Sequence, residues 1–373
     1  AANTGSQDNR LSLIATVAGS KLRFVSAHAS EPAEDSGDPY RLEITQFASY
    51  DALQPMGREF EPVATERDGP SEDAAPSPHC ERAQGIEASP TIPDNATDAP
   101  QPGLTVTSVF EAYPGLSAVR THTRLRSPEP FSIEAVSSMN LTVPLTVNGG
   151  THLLWGDAAW AVENDWHMRP LRETSVRDRN QRINPGQSSS RFALSSTSTW
   201  STGMHEPAGI VQVEESKRHR SRKVRDFSVM WQIEHNGPWE WEVGEDDPGL
   251  HIAAFGPEYQ DHQWFTNLGE GNDFESVPVS FAIVAGDWQD AVAEMTLQRR
   301  ALRAAKAREL GRTAEFERTQ GLVIYNDYMN TLFGDPRIDK ELPLIEGAAG
   351  VGADIFCIDA GWYDSTDGGW WDM

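Results

Sequence analysis

GLVIYNDYMNTLFGDP (residues 321–336) and GADIFCIDAGWYD (352–364) are the two segments that decide the fold. The runs GLVIYN and DIFCIDAGW within them are predominantly apolar. Apolar runs without polar alternation are the pattern of parallel strands covered on both faces. Between them, Asp335-Pro336 is placed to open a helix, because proline suits the first helical position. Ile338, Leu342, Ile345 and Ala349 recur at helical spacing and predict its buried stripe, and Pro343 inside it predicts a kink or a delayed helix. Gly350 and Gly352 stop the helix. The whole reads as one β-α-β unit. Residues able to do chemistry stand where both strands end: Asn326, Asp327 and Tyr328 after the first, and Asp359 through Trp362 after the second. In (β/α)8 barrels that edge carries the active site.

Two parallel strands do not close a barrel. Leaving Ile355, Phe356, Cys357 and Ile358 half covered costs roughly 1.5–3 kcal/mol per large side chain. Summed, that rivals the ~5–15 kcal/mol stability of a domain. The chain is therefore expected to be the N-terminal fragment of a longer protein, with residues 321–373 the start of an incomplete catalytic barrel. Upstream, Asp287 is placed to cap a helix and Asp290 to complement its dipole. Trp288, Val292, Met295 and Leu302 line one side, and Arg299, Arg300, Arg303, Lys306 and Arg308 the other. Residues 286–311 thus read as a linker helix.

Before the helix the chain alternates apolar and polar residues between turns. Leu11 to Val17, Lys21 to Val25 and Tyr40 to Phe47 read as strands, and so do LTVTSVFEAY (104–113) and AVRTHTRLR (118–126), joined by Tyr113-Pro114-Gly115. FSIEAVSSMNLTV (131–143) continues the pattern. From 150 to 285 the chain is β-rich and holds eight of its 12 tryptophans. Residues 1–285 are expected to form a large β-sandwich. Within it, residues 61–100 hold nine acids, two bases and seven prolines and read as a solvated loop or insertion.

Composition narrows the function. With 31 basic and 56 acidic residues the net charge is −25, which opposes binding to phosphate backbones or anionic lipid. No nucleic-acid or membrane partner is expected, and SKRHRSRKVR (216–225) reads as a solvated hairpin tip or a subunit contact. Cys80 and Cys357 make no disulfide framework. His122 has no second ligand at a metal spacing, so neither metal nor other cofactor is expected. GAAGVG (347–352) follows a helix, the reverse of a dinucleotide loop. An acidic chain without an export segment leans toward the cytoplasm.

Several segments carry a resemblance. FEAYPGLSAVRTHTRLR (110–126), VSSMNL (136–141), MWQIEHNGPWEWEVG (230–244) and LGEGNDFESVPVSFAIVAGDWQDAVAEMTLQRR (268–300) stand in the same order as the two barrel segments above. Together they resemble glycoside hydrolase family 36, the bacterial α-galactosidases (melibiases), over nearly all of residues 100–373. The resemblance implies a sandwich, a linker helix and a (β/α)8 barrel. It also implies retaining hydrolysis of terminal α-galactosyl residues of oligosaccharides or glycosides, by two carboxylates. In the family those acids lie on barrel strands 4 and 6, so both are expected beyond residue 373 and the chain alone is expected to be inactive. Homo-oligomers formed through the sandwich are implied too.

What the resemblance leaves here is part of a sugar-recognition shell. The family's second strand ends Asp-Asp-Gly-Trp; Asp359 matches the first acid and Trp362 the tryptophan, while Ala360 replaces the second acid. After strand 1 the family commonly has Asn-Ser-Trp-Glu, where this chain has Asn326, Asp327, Tyr328 and Met329. Tyr328 is placed to stack on a sugar, and Asp327 to replace the lost carboxylate. The physical logic is independent of the family. A carboxylate accepts from two hydroxyls, and the wrong epimer leaves a charged acceptor unpaired. An aromatic ring offers the C–H face a platform. Alternatives within the scaffold are an α-N-acetylgalactosaminidase or a galactosyl transferase of the raffinose-synthase kind. Outside it, the alternative is a non-catalytic sugar-binding or oligomerisation module.

Overall fold

The computed structural model describes residues 19, 21–33, 36–53, 102–143, 150–176, 191–214, 226–246 and 249–362. Expectations for Leu11 to Val17, for 61–100 and for 216–225 lie outside the described residues. The chain divides into two compact units, Ala1–Gln298 and Arg299–Met373.

The first unit is antiparallel. Its strands are β1 (Arg23–Ser30), β2 (Tyr40–Ser49), β3 (Gly103–Ala112), β4 (Ala118–Arg126), β5 (Phe131–Ile133), β6 (Ser137–Val143), β7 (Thr151–Asp157) and β8 (Asp165–Pro170). These are followed by β9 (Arg191–Ser196), β10 (His205–Val213), β11 (Phe227–Ile233), β12 (Trp239–Asp246), β13 (Gly249–Phe255), β14 (Thr266–Leu268), β15 (Phe274–Glu275) and β16 (Val279–Ala285). Two four-residue helices, α1 (Tyr50–Leu53) and α2 (Tyr259–His262), interrupt them. A ten-stranded sheet runs β1-β2-β3-β4-β16-β11-β10-β7-β8, with β15 also on β4. A second sheet runs β6-β13-β12-β9, and β14 pairs with β5 alone. The segment 131–143, which reads as a single alternating stretch, is split: β5 pairs with β14 and β6 with β13.

The two large sheets share one core. Leu153, Val211, Val229, Trp231 and Phe281 come from the first, and Met139, Trp239, Trp241, Leu250 and Ile252 from the second. Trp231 and Trp241 meet edge to face with centroids 5.1 Å apart, a favoured aromatic geometry. The outer face of the larger sheet carries Leu154, Ile210 and Met230, packed with Ala291 and Met295 of α3 (Trp288–Glu309). Helix α3 starts in a reciprocal cap: the Asp287 carboxylate accepts from Gln289 N–H at 2.8 Å, and Asp287 N–H donates to Asp290 at 3.1 Å.

The second unit contains the end of α3, then α4 (Thr313–Thr319), which the sequence reading does not anticipate, β17 (Ile324–Asn326), α5 (Ile338–Gly350) and β18 (Ile355–Cys357). The two strands pair in parallel, Ile324 with Ile355 and Asn326 with Cys357. Both are shorter than their apolar runs, and they are not covered as the sequence predicts: Ile324 is 58% and Ile355 43% exposed. Helix α5 begins two residues after Pro336 and runs through Pro343. Its expected stripe faces outward, with Ile338, Leu342 and Ile345 exposed; the buried positions are Glu341 and Ala348. The apolar stripe and the face packed within this unit are therefore different faces of one helix. The helix closes on Gly352, at φ 85°, whose N–H donates to Ala349 O.

Candidate functional site

The five sequence-predicted site residues meet at the carboxyl ends of β17 and β18. Asn326, the last residue of β17, donates from Nδ2 to Asp359 Oδ2 at 2.7 Å. Its own Oδ1 accepts from Tyr328 N–H at 2.8 Å, a local side-chain turn that bends the chain away from the strand. From there residues Tyr328–Leu332 form one turn of π-helix, a device frequent at functional sites, which ends on Phe333 in the left-handed region at φ 49°. That turn lays Tyr328 flat on Phe333, with ring centroids 5.2 Å apart and planes 14° from parallel.

After β18, Asp359 is exposed, with its carboxylate fixed by Asn326. Gly361, at φ 94°, passes so close to Gly334 that a side chain there would overlap the Gly334 carbonyl. The turn lets Trp362 fold back, its Nε1–H donating to Asp359 O at 2.9 Å while the residue stays 65% exposed. The result is an anchored carboxylate with an exposed indole beside it and a half-buried phenol on the facing loop. Acid, amide and aromatic faces are the groups a hydroxylated ring needs.

Asp327 lies differently. It is 1% exposed, and its Oδ1 accepts from Asp359 N–H at 2.8 Å, so its carboxylate is engaged inside the loop. Behind it is Glu341 of α5, 3% exposed. Burial, then the hydrogen bond to Asp327 and that residue's charge, push the Glu341 carboxyl up to about 7. Sequence reading misses Glu341, because acids in a first helical turn ordinarily serve the dipole in water. Cys357 is half-buried, with Sγ 3.9 Å from Asn326 Nδ2.

Among the described residues, one group of carboxylates has ligand atoms close enough for a metal: Glu240, Glu258 and Asp261, within 4.8 Å of one another in the sandwich. Two of its members are engaged within the protein. Arg191 pairs with Glu240 and with Glu242, and Glu258 accepts the N–H groups of Gln260 and Asp261 as the cap of α2. Burial pushes the Glu240 carboxyl up to about 8 despite Arg191. No described helix is long and apolar enough to cross a membrane.

A sandwich followed by a β-α-β unit with polar strand ends defines a class of architecture, and solved structures give it members. No known protein-family model and no curated protein sequence matches the chain. Comparison of structures finds the glycoside hydrolase family 36 α-galactosidase AgaB of Geobacillus stearothermophilus, at 14% identity and TM-score 0.56, over 92% of this chain and 37% of that one. A variant of AgaA from the same organism, solved with raffinose, aligns at 14% identity and TM-score 0.57, over 92% and 38%. The α-galactosidase of Lactobacillus brevis aligns at 11% and 0.54, over 92% and 36%. At such identities the likeness is one of fold. The chain thus has the fold of part of these enzymes, chiefly their sandwich, and spans less than two-fifths of their length. The resemblance to family 36 read from the sequence is met at the level of structure.

Proposed function

We propose that the chain is the N-terminal portion of a retaining glycoside hydrolase that removes terminal α-galactosyl residues from oligosaccharides or glycosides. In this reading residues 1–285 are the sandwich, 286–311 the linker helix, and 321–373 the start of a (β/α)8 barrel. The uncovered sides of Ile324 and Ile355 are then surfaces for further barrel elements. The carboxylate pair that attacks the anomeric carbon and protonates the leaving oxygen lies beyond residue 373. The exposed indoles of Trp160 and Trp200 on the sandwich are offered as subunit contacts of a homo-oligomer.

The observation that carries the reading is the Asn326–Asp359 pair. It sits at the strand edge where barrels bind substrate, in a chain whose fold aligns with α-galactosidases over 92% of its length. Asn326 occupies one carboxylate oxygen of the exposed Asp359, and in this reading the other accepts from sugar hydroxyls. In this reading Trp362, bonded to the Asp359 carbonyl, and Tyr328, two residues after Asn326, supply the apolar faces, and Asp327 holds the Asp359 N–H from beneath. Ala360 supplies no second acceptor, so this edge grips the sugar with one acid rather than two.

The complete polypeptide is expected to release galactose from an aryl α-galactoside with retention, and to favour it over the aryl α-N-acetylgalactosaminide. Asp359→Ala should raise KM by about 10–100-fold, the worth of a hydrogen bond to a charged group. Wild-type turnover of neither glycoside would overturn the proposal.

A further inference from the structure

Asp327 and Glu341 are the two buried acids of the second unit among the described residues, and they are hydrogen-bond neighbours. Asp327 Oδ1 is occupied by the Asp359 N–H, while Asp327 Oδ2 and both Glu341 oxygens are buried with no donor from the other described residues. Each is fixed by its element: Asp327 N–H donates to Cys357 O across the strand ends, and Glu341 N–H to Arg337 O in α5. The described cations nearest in sequence, Arg337 and Lys340, are engaged by another acid. Arg337 lies 3.2 Å from Asp335, and Lys340 is also paired to Asp335. Two facing carboxylates in a buried place cannot both ionise cheaply, and a single proton between them supplies the missing donor.

We propose that Glu341 is kept as a carboxylic acid sharing its proton with the Asp327 carboxylate, and that this pair is the positioning device that sets the Asp359 loop. Glu341 donates to Asp327 Oδ2; Asp327 Oδ1, so oriented, holds Asp359 N–H; Asp359 then meets Asn326. Glu341 touches no substrate and acts through two residues. Its upward shift to about 7 agrees with this geometry. An acid favoured as neutral in the folded state stabilises it fully below the ordinary glutamate range, and that contribution is lost as pH rises through about 7. Above that pH both groups are charged, they repel, and the Asp359 loop loosens.

The step from the pair to sugar binding rests on the function proposed above; the shared proton does not. The test uses the complete polypeptide, its Glu341→Gln and its Glu341→Ala variants. Infrared difference spectra of wild type against Glu341→Gln should contain the carbonyl band of a protonated carboxyl group, fading as pH passes 7. For an aryl α-galactoside, wild-type KM should rise by up to about tenfold per pH unit above 7 with kcat little changed. Glu341→Gln, whose amide donates the same bond without titrating, should hold KM flat, and Glu341→Ala should raise KM at every pH. A purely packing role would lower the folded yield of both variants and leave the pH profile in place. Absence of the carbonyl band, or coincident KM profiles for wild type and Glu341→Gln, overturns the inference. Should the wild type cleave no galactoside, the function fails and the spectra alone decide the pair. Should Glu341→Ala not fold, Glu341→Gln still decides.

Discussion

Buried carboxylates are handled in opposite ways in the two units. In the sandwich, Glu240 and Glu242 flank Arg191, and one guanidinium reaches both. In the β-α-β unit, Asp327 faces Glu341 and no described cation lies between them. The first arrangement links the neighbouring strands β9 and β12. The second sits directly under a loop whose exposed tip is an anchored acid and an indole. The apolar surface differs in the same sense: Trp231, Trp239 and Trp241 are fully buried between sheets, whereas Ile338 in α5 is 70% exposed. The contrast separates a scaffold with an apolar core between two sheets from an element whose buried acids lie next to its polar strand ends.

That contrast can be broken at several points. The largest effect is expected at Arg191. Arg191→Met leaves two acids buried without their cation, which costs about 3–5 kcal/mol in urea unfolding of the complete polypeptide. The loss should shrink in acid. Glu240 is pushed up to about 8, so the folded state holds a proton that the unfolded state releases, and stability falls as pH rises from the ordinary glutamate range through about 8. An equal loss at pH 5 and pH 9 would remove Glu240 from the account.

A smaller and purely local effect is expected at Gly361. Alanine there meets the Gly334 carbonyl and a positive φ, so the loop must shift at a cost of about 1–3 kcal/mol. Galactoside KM should rise about tenfold or more while the sandwich's urea midpoint stays put. A variant with unchanged KM would mean that the turn does not place Asp359 and Trp362. The smallest effect is the loss of the α3 cap: Asp287→Ala should cost about 1 kcal/mol by thermal unfolding and leave KM untouched.

Much of this was legible before the structure. Alternation marks β3 and β4, and the turn between them falls at Tyr113-Pro114-Gly115, where Gly115 sits at φ 79°. Asp287 and Asp290 announce the start of α3 because capping is a local signal. The strand ends after β17 and β18 were visible as chemistry at the close of two apolar runs. Other features were not, and the reasons are physical. The order of ten strands depends on pairing between residues far apart in sequence, such as β4 with β16. Helix α5 offers an apolar stripe at Ile338, Leu342 and Ile345, yet packs within its unit through Glu341 and Ala348, since periodicity reveals a face without saying what it meets. Asp327 reads as an outward acid, whereas the structure buries it and bonds its carboxylate to the Asp359 N–H.

The central claim is that the rim formed by Asp359, Asn326 and Trp362 grips a galactosyl ring. A crystal structure of the complete polypeptide with bound galactose tests it most directly. The account predicts ring hydroxyls within about 2.6–3.2 Å of the Asp359 carboxylate, with Asn326 still on its other oxygen and an aromatic face of Trp362 or Tyr328 against the sugar. A galactose bound at a catalytic pocket with Asp359 turned away from it, or bound only elsewhere on the molecule, would contradict it.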